Sequence, residues 1–263
     1  MKRGKAMILT IDVGNSNTVL IGYVDNESVY KKRVITEKKD VLKYYTSVFE
    51  TIETKVDAVV LSSVVPSITQ AIMDVLVKQF QCDIHCVSIE NTKNFRVKLD
   101  KPHEIGADFI ATAVGAYAQY RAPMIIADIG SASKLSVIDA DGSFMGGAII
   151  PGLQTSLDAL IQYIPHLPEV ALDIPVHVIG TNTEHCIQSG ITYGLIAQIS
   201  GLAMMMEKEL GMECTKIITG GYAQLIHSQM KEFIYNPDLL NDGLRILYQR
   251  RDLKSTSIIN DNE

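Results

Sequence analysis

Twice in this chain a run of apolar residues ends in an acid, a hydrophobic residue, a glycine and small polar residues. Ile8-Leu9-Thr10-Ile11 leads into Asp12-Val13-Gly14-Asn15-Ser16-Asn17, and Ile125-Ile126-Ala127 leads into Asp128-Ile129-Gly130-Ser131-Ala132-Ser133. Each reads as a buried strand that delivers a carboxylate to its own end. A carboxylate placed there can hold Mg²⁺, directly or through water. The glycine lets backbone N–H groups come close to phosphate oxygens. Two such loops facing each other would clamp a nucleoside triphosphate from both sides. The repeat therefore predicts a two-lobed ATP-using enzyme with a central cleft between the lobes.

The elements around each motif repeat as well. Residues 7–13, 18–24 and 28–36 read as a three-stranded meander with a tight turn at Asp25-Asn26. A helix over 38–53, a buried strand at 58–61, a helix from Pro66 to about 79 and a strand near 84–88 complete β-β-β-α-β-α-β. An alanine-rich helix from Glu104 to about Tyr120 follows. The second half opens again with a strand at 123–128 and a hairpin, 134–140 and 143–150, around Asp141-Gly142. Helices at 153–163 and 183–210, a strand at 215–219, a helix after Gly220-Gly221 and a last helix over 237–250 complete it. The expected division is an N-terminal lobe 7–120, a C-terminal lobe 121–250 and a polar, frayed tail 251–263. Thr219-Gly220-Gly221 ends a strand and opens a helix, a turn that can let the backbone approach an adenosine.

Composition narrows the partners. Net charge is −6 and no long basic run appears, which argues against nucleic acid. No apolar stretch reads as long enough to span a bilayer. Lys2, Arg3 and Lys5 precede a strand that soon meets Asp12, which is not a secretory pattern, and Met7 reads as the natural start. Four cysteines fit a reducing, cytoplasmic setting. Cys82, His85 and Cys86 lack a second ligand pair at a zinc-site spacing and read as part of a strand.

The ordered segments Asp12-Val13-Gly14-Asn15-Ser16-Asn17-Thr18, Ser62-Ser63-Val64-Val65-Pro66, Gly106-Ala107-Asp108, Asp128-Ile129-Gly130-Ser131-Ala132, Gly146 to Gly152, Gly180-Thr181-Asn182-Thr183 and Thr219-Gly220-Gly221 resemble the type III pantothenate kinases. That family lies within the superfamily of sugar kinases, Hsp70 and actin. The resemblance covers most of the chain. It implies an α/β fold of the ASKHA (actin-like ATPase, ribonuclease H-like) kind, a homodimer, and ATP-dependent phosphorylation of pantothenate, the first step of coenzyme A synthesis. It also implies roles. Asp12, Val13, Gly14, Asn15, Ser16, Asn17, Thr18, Val19 and Ser131 would bind ATP. Asp12 and Asp128 would orient hydrated Mg²⁺. Asp128 would also hold a monovalent cation, K⁺ or NH₄⁺. Asp108 would be the general base, and Leu99, Gly106, Ala107, Asp108, Phe109 and Thr183 would fall at the acceptor.

The resemblance breaks at four positions. Phe109 stands where Arg is usual, Leu99 where Tyr is usual, Lys134 where Thr is usual and Ser136 where Asp is usual. The first two fall in the expected acceptor pocket, and losing a charged donor costs about 1.5–3 kcal/mol. Two alternatives follow: a weak or inactive nucleotide-binding paralogue with an accessory role, or a kinase for another small hydroxylated acceptor. Lys134 carries a sharper expectation. Its ammonium would lie by Asp128 and stand in for the mobile cation. Gly190, Gly194, Ala197 and Gly201 line one helix at spacings of three or four, which suits a close helix–helix approach at a dimer seam.

Overall fold

The computed structural model describes residues 7–251, so the expectations for residues 1–6 and for the tail beyond Arg251 lie outside the described residues. The chain divides into two units. One comprises the chain through Phe95, His103–Ala118 and the chain from Leu240; the other comprises Arg96–Pro102 and Gln119–Leu239.

The first unit holds β1 (Met7–Val13), β2 (Asn17–Val24), β3 (Glu27–Ile35), α1 (Val41–Glu50), β4 (Val56–Ser63), α2 (Pro66–Phe80), β5 (Asp83–Cys86) and α3 (Ala107–Gln119). Its sheet runs β3-β2-β1-β4-β5. β1 pairs antiparallel with β2 and parallel with β4. A central strand flanked in this way is covered on both faces, which is why its sequence is almost continuously apolar. Met7, Leu9, Ile11 and Val13 pack against Tyr45 and Phe49 of α1 and Ile68, Ile72 and Leu76 of α2. β3 closes the edge and places Lys31 and Arg33 in solvent, the usual protection of an open edge. The turn between β2 and β3 has Asp25 and Asn26 at φ of 50° and 71°. Two left-handed residues in succession match the twist of a two-residue hairpin.

The second unit repeats the plan with β6 (Met124–Ile129), β7 (Ala132–Ile138), β8 (Phe144–Pro151), α4 (Leu153–Tyr163), α5 (Thr183–Leu210), β9 (Thr215–Thr219), α6 (Ala223–Ile226) and β10 (Ile234–Tyr235). Its sheet order is β10-β9-β6-β7-β8. Read from the other end, the first sheet has the same order, with β6 in the place of β1 and β9 in that of β4. The strand carrying each acidic motif is therefore the middle strand of its sheet. The expected helix after Gly220-Gly221 is short, α6, and β10 has only two residues, too few to show a strand period.

α5 begins at Asn182, whose side chain accepts from the His185 N–H at 2.8 Å, and it stops at Gly211 with φ +71°. Ile187, Leu195, Ile199 and Ala203 form its buried face. This helix corrects one expectation. Its 28 residues are long and apolar enough to cross a membrane, by length and composition, although just 28% of its most apolar window is buried. Because the buried face packs in the core of the second unit beside Ile125, Ala127 and Ile218, the helix serves as a cover for that sheet.

The last helix, α7 (Leu239–Arg250), belongs mostly to the first unit rather than to the second. A Cβ on Gly243 would stand 1.8 Å from the Ala111 carbonyl oxygen and 3.0 Å from the Gly115 nitrogen. Only a glycine lets α7 meet the α3 backbone this closely. The buried Asn241 amide then donates to Thr10 Oγ1 of β1 at 2.9 Å. A division at residue 120 misses this return because the contact depends on one hydrogen at one position.

Candidate active site

The first acidic loop is a turn held from behind. Asp12 lies opposite Val19 of β2 and Ser62 of β4. Beyond it the Gly14 N–H donates to the Asn17 carbonyl at 3.0 Å, and the Thr36 N–H donates to the Ser16 carbonyl at 3.0 Å. The Thr36 hydroxyl donates to the Gly14 carbonyl at 2.7 Å. Thr18, fully buried, sits 3.0 Å from the Thr36 hydroxyl and 2.7 Å from the Tyr45 hydroxyl. Burial pushes the Tyr45 phenol above its ordinary range, so it stays protonated and can donate. Sequence reading gave the whole stretch Asp12–Val19 to ATP. Within it, the Gly14 amide and the Thr18 hydroxyl serve the turn itself, Val13 is buried and Val19 is half-buried in β2. Asn15 and Ser16 form the exposed tip, and Asn17 is half-exposed. Tyr45 gave no signal in the sequence, since it sits on a helix far from the motif.

The second loop is enclosed more tightly. Lys134 on β7 lies directly across from Asp128 on β6. Its ammonium is 3.0 Å from Asp128 Oδ2, with the two side chains only 15% and 18% exposed. Gly220, at φ +97°, stands over the same carboxylate: a Cβ there would be 2.4 Å from Asp128 Oδ1 and 2.5 Å from the Ile129 nitrogen. The Tyr222 N–H donates to the Ile129 carbonyl at 2.9 Å. On the other flank, Gly152 N–H and the Thr155 hydroxyl both donate to the Ser131 carbonyl, at 3.1 and 2.7 Å. The structure thus brings Asp128, Ser131 and Lys134 together between the β9–α6 turn and the start of α4. The Gly220 turn, read from sequence as an approach to adenosine, packs on the Asp128 carboxylate.

Gly106, Ala107, Asp108 and Phe109 open α3 in the first unit, while Leu99 and Thr183 belong to the second. Asp108 is 9% exposed, unusual for a carboxylate on a first helical turn. Its Oδ1 accepts the Phe109 N–H at 2.8 Å, and a Cβ on Gly106 would crowd that oxygen at 2.5 Å. Glycine at 106 therefore leaves room for one Asp108 rotamer. Phe109 is half-exposed, so it does not merely fill a core. Leu99 is half-buried, its Cδ2 3.3 Å from where a Cβ of Gly146 would sit. Its segment is seated on β8 by Lys98 N–H to Phe144 O at 2.8 Å and Phe144 N–H to Arg96 O at 2.9 Å. Thr183, the first residue of α5, is exposed.

Among the described residues no three His, Cys, Asp or Glu side chains converge as a metal cluster. Burial raises the thiols of Cys82 and Cys86 and lowers His85. For Mg²⁺ the relevant oxygens are elsewhere. Ser62 Oγ, fully buried and in register with Asp12, makes no hydrogen bond, and the same holds for the buried Asp12 Oδ1, although the Asp12 carboxylate has other interactions. Hard oxygens next to each other at a strand end suit a hydrated Mg²⁺ that completes its shell from phosphates. Asp128, committed to an ammonium, suits a second cation poorly.

A repeated five-stranded unit with an acid-glycine turn at the end of each central strand is a fold that actin-like proteins and sugar kinases share. Solved structures agree at the level of fold. A Baf-family protein from Campylobacter jejuni, titled as a transcriptional activator, superposes with a TM-score of 0.62 at 17% identity, covering 94% of this chain and 100% of that one. An archaeal actin homologue gives 0.53 at 14%, covering 93% and 99%. MreB 5 of Spiroplasma citri, solved with AMPPNP, gives 0.52 at 10%, covering 94% and 97%. The sequence is more specific. A model of the type III pantothenate kinase family matches residues 8–205. Proteins named type III pantothenate kinase are 37% identical in Exiguobacterium sibiricum, over 93% of this chain and 99% of that protein, and 34% identical in Moorella thermoacetica, over 93% and 99%. The chain belongs to the type III pantothenate kinase family.

Proposed function

We propose that this chain transfers the γ-phosphoryl group of ATP to the primary hydroxyl of pantothenate, giving 4'-phosphopantothenate. The observation that carries the proposal is Asp108, a nearly buried carboxylate held in one rotamer by the Phe109 N–H and by the hydrogen-only space at Gly106. Phosphoryl transfer asks a protein mainly for positioning and charge compensation. It also needs a group that takes the acceptor's proton as the new P–O bond forms. Asp108 takes that proton, and ADP leaves with the electrons of the broken P–O bond. The exposed tip Asn15-Ser16 of the first loop, and separately the backbone around Ser131 of the second, each suit donation to phosphate oxygens. Mg²⁺ held by Asp12, directly or through water, would offset negative charge on the β- and γ-phosphates. Within the first unit, buried Ala107 and half-exposed Phe109 flank Asp108 on α3, Phe109 standing where the family has Arg. The accessory-paralogue alternative is not favoured, since the named kinases align with this chain almost end to end.

The test is ADP release by the purified full chain with Mg²⁺–ATP, with and without pantothenate. Millimolar pantothenate should raise the rate far above the background ATPase. An unchanged rate would remove pantothenate as the acceptor.

The chain also acts as a homodimer through α5. Two observations support this: Cβ positions at Gly190, Gly194 and Gly201 meet no atom within 4 Å, and Met204 and Met205 are each 64% exposed. Light scattering should give twice the 29.0 kDa of the chain. A monomer mass at working concentration would exclude it.

A further inference from the structure

The second loop contains a cation that cannot leave. Lys134 faces Asp128 across the β6–β7 ladder, its ammonium 3.0 Å from Oδ2. Both side chains are largely withdrawn from water. The other carboxylate oxygen, Oδ1, lies against the turn at Gly220, where even a methyl group would not fit. A dissociable K⁺ or NH₄⁺ at Asp128 would need a shell of oxygens to replace its water. Here one carboxylate oxygen accepts from an ammonium and the other is covered by backbone. The lysine head also carries the charge and the N–H donors that NH₄⁺ would bring. The residues present therefore do not fit a mobile monovalent cation.

We propose that Lys134 is a tethered monovalent cation of the nucleotide site, so that nucleotide binding is indifferent to K⁺ and NH₄⁺. This rests on the kinase assignment above only in taking the second loop to be a nucleotide loop. The positive charge is built into β7, offsets Asp128 in the absence of salt, and leaves the carboxylate able to orient the loop backbone toward phosphate oxygens. The side chain costs no ion-capture step, and no ion concentration in the cell sets its occupancy.

The experiment measures Mg²⁺–ADP affinity of the full chain by calorimetry in potassium, ammonium and choline chloride at one ionic strength. The unaltered chain should bind with the same Kd in all three to within about twofold, because screening is equal. Lys134→Ala should bind about tenfold or more weakly in choline chloride and recover most of the loss in ammonium chloride, where free NH₄⁺ can enter the vacated place. Three outcomes would overturn the proposal: tenfold tighter binding of the unaltered chain in KCl, a Lys134→Ala variant indistinguishable from it in every salt, or no Mg²⁺–ADP binding at all. If the variant does not fold, the salt series on the unaltered chain still decides. Normal ADP binding without pantothenate-dependent turnover would defeat the acceptor assignment and leave the role of Lys134 standing on the calorimetry.

Discussion

Asp108→Asn is expected to lower pantothenate-dependent turnover by about 10²–10⁴-fold, the usual contribution of a positioned general base. The substitution keeps shape and loses the basicity and the charge of the carboxylate. An asparagine Oδ1 can still accept the Phe109 N–H, which now holds Asp108 Oδ1 at 2.8 Å. It also fits the space left by Gly106, so the helix start should not move. The affinity for Mg²⁺–ADP should therefore stay within about twofold of the parent and the thermal midpoint should change little, since the isosteric amide keeps the acceptor for the Phe109 N–H. Steady-state ADP release checks the first statement, and calorimetry with thermal melting the others. A loss of less than tenfold in kcat, with binding intact, would show that the hydroxyl proton goes elsewhere. A loss of nucleotide binding as large as the loss of rate would show that Asp108 supports the fold.

Gly220→Ala should destabilise the second unit strongly. Two penalties add. The backbone is at φ +97°, a region where a side chain is strained by about 1–3 kcal/mol. The added carbon would also collide with Asp128 Oδ1 at 2.4 Å and with the Ile129 nitrogen and oxygen at 2.5 and 2.6 Å. Rigid backbone cannot yield as a flexible side chain can, and overpacking of this kind costs about 1–3 kcal/mol more. Together they predict a midpoint lower by roughly 6–15 °C for a unit of this size. Gly211→Ala is the internal control. Gly211 is also left-handed, at φ +71°, yet an added carbon there meets nothing within 4 Å. Its cost is the backbone term alone, about 1 kcal/mol. Equal midpoints for the two variants would mean that the turn does not press on the Asp128 carboxylate.

Much of this architecture is legible in the residues because the signals are local. The apolar run into Asp12 fixes β1, Asp25-Asn26 fixes a hairpin, and Asn182 and Gly211 bracket α5, each through chemistry within a few positions. Other features escape for the opposite reason. Tyr45 supports the first loop from a helix 27 residues beyond Thr18. The seat of α7 on α3 hangs on the missing side chain of Gly243, and β10 is too short to carry a period. The apolar length of α5 is hard to read because its leucines and methionines are spread among glycines and polar residues. At the site, the contact of Lys134 with Asp128 is readable, since the three residues Gly130-Ser131-Ala132 enclosed by the Ile129–Ser133 pair put Lys134 opposite Asp128. The crowding of Asp128 by Gly220 is not, because it joins segments 92 residues apart that only the sheet brings into line.

The fate of the phosphoryl group is the direct readout of this chemistry. Mass spectrometry of pantothenate incubated with the unaltered chain and Mg²⁺–ATP follows that group to its acceptor. A pantothenate product heavier by one phosphate, formed in step with ADP and absent with Asp108→Asn, is the predicted result. ADP formation with unmodified pantothenate would contradict it.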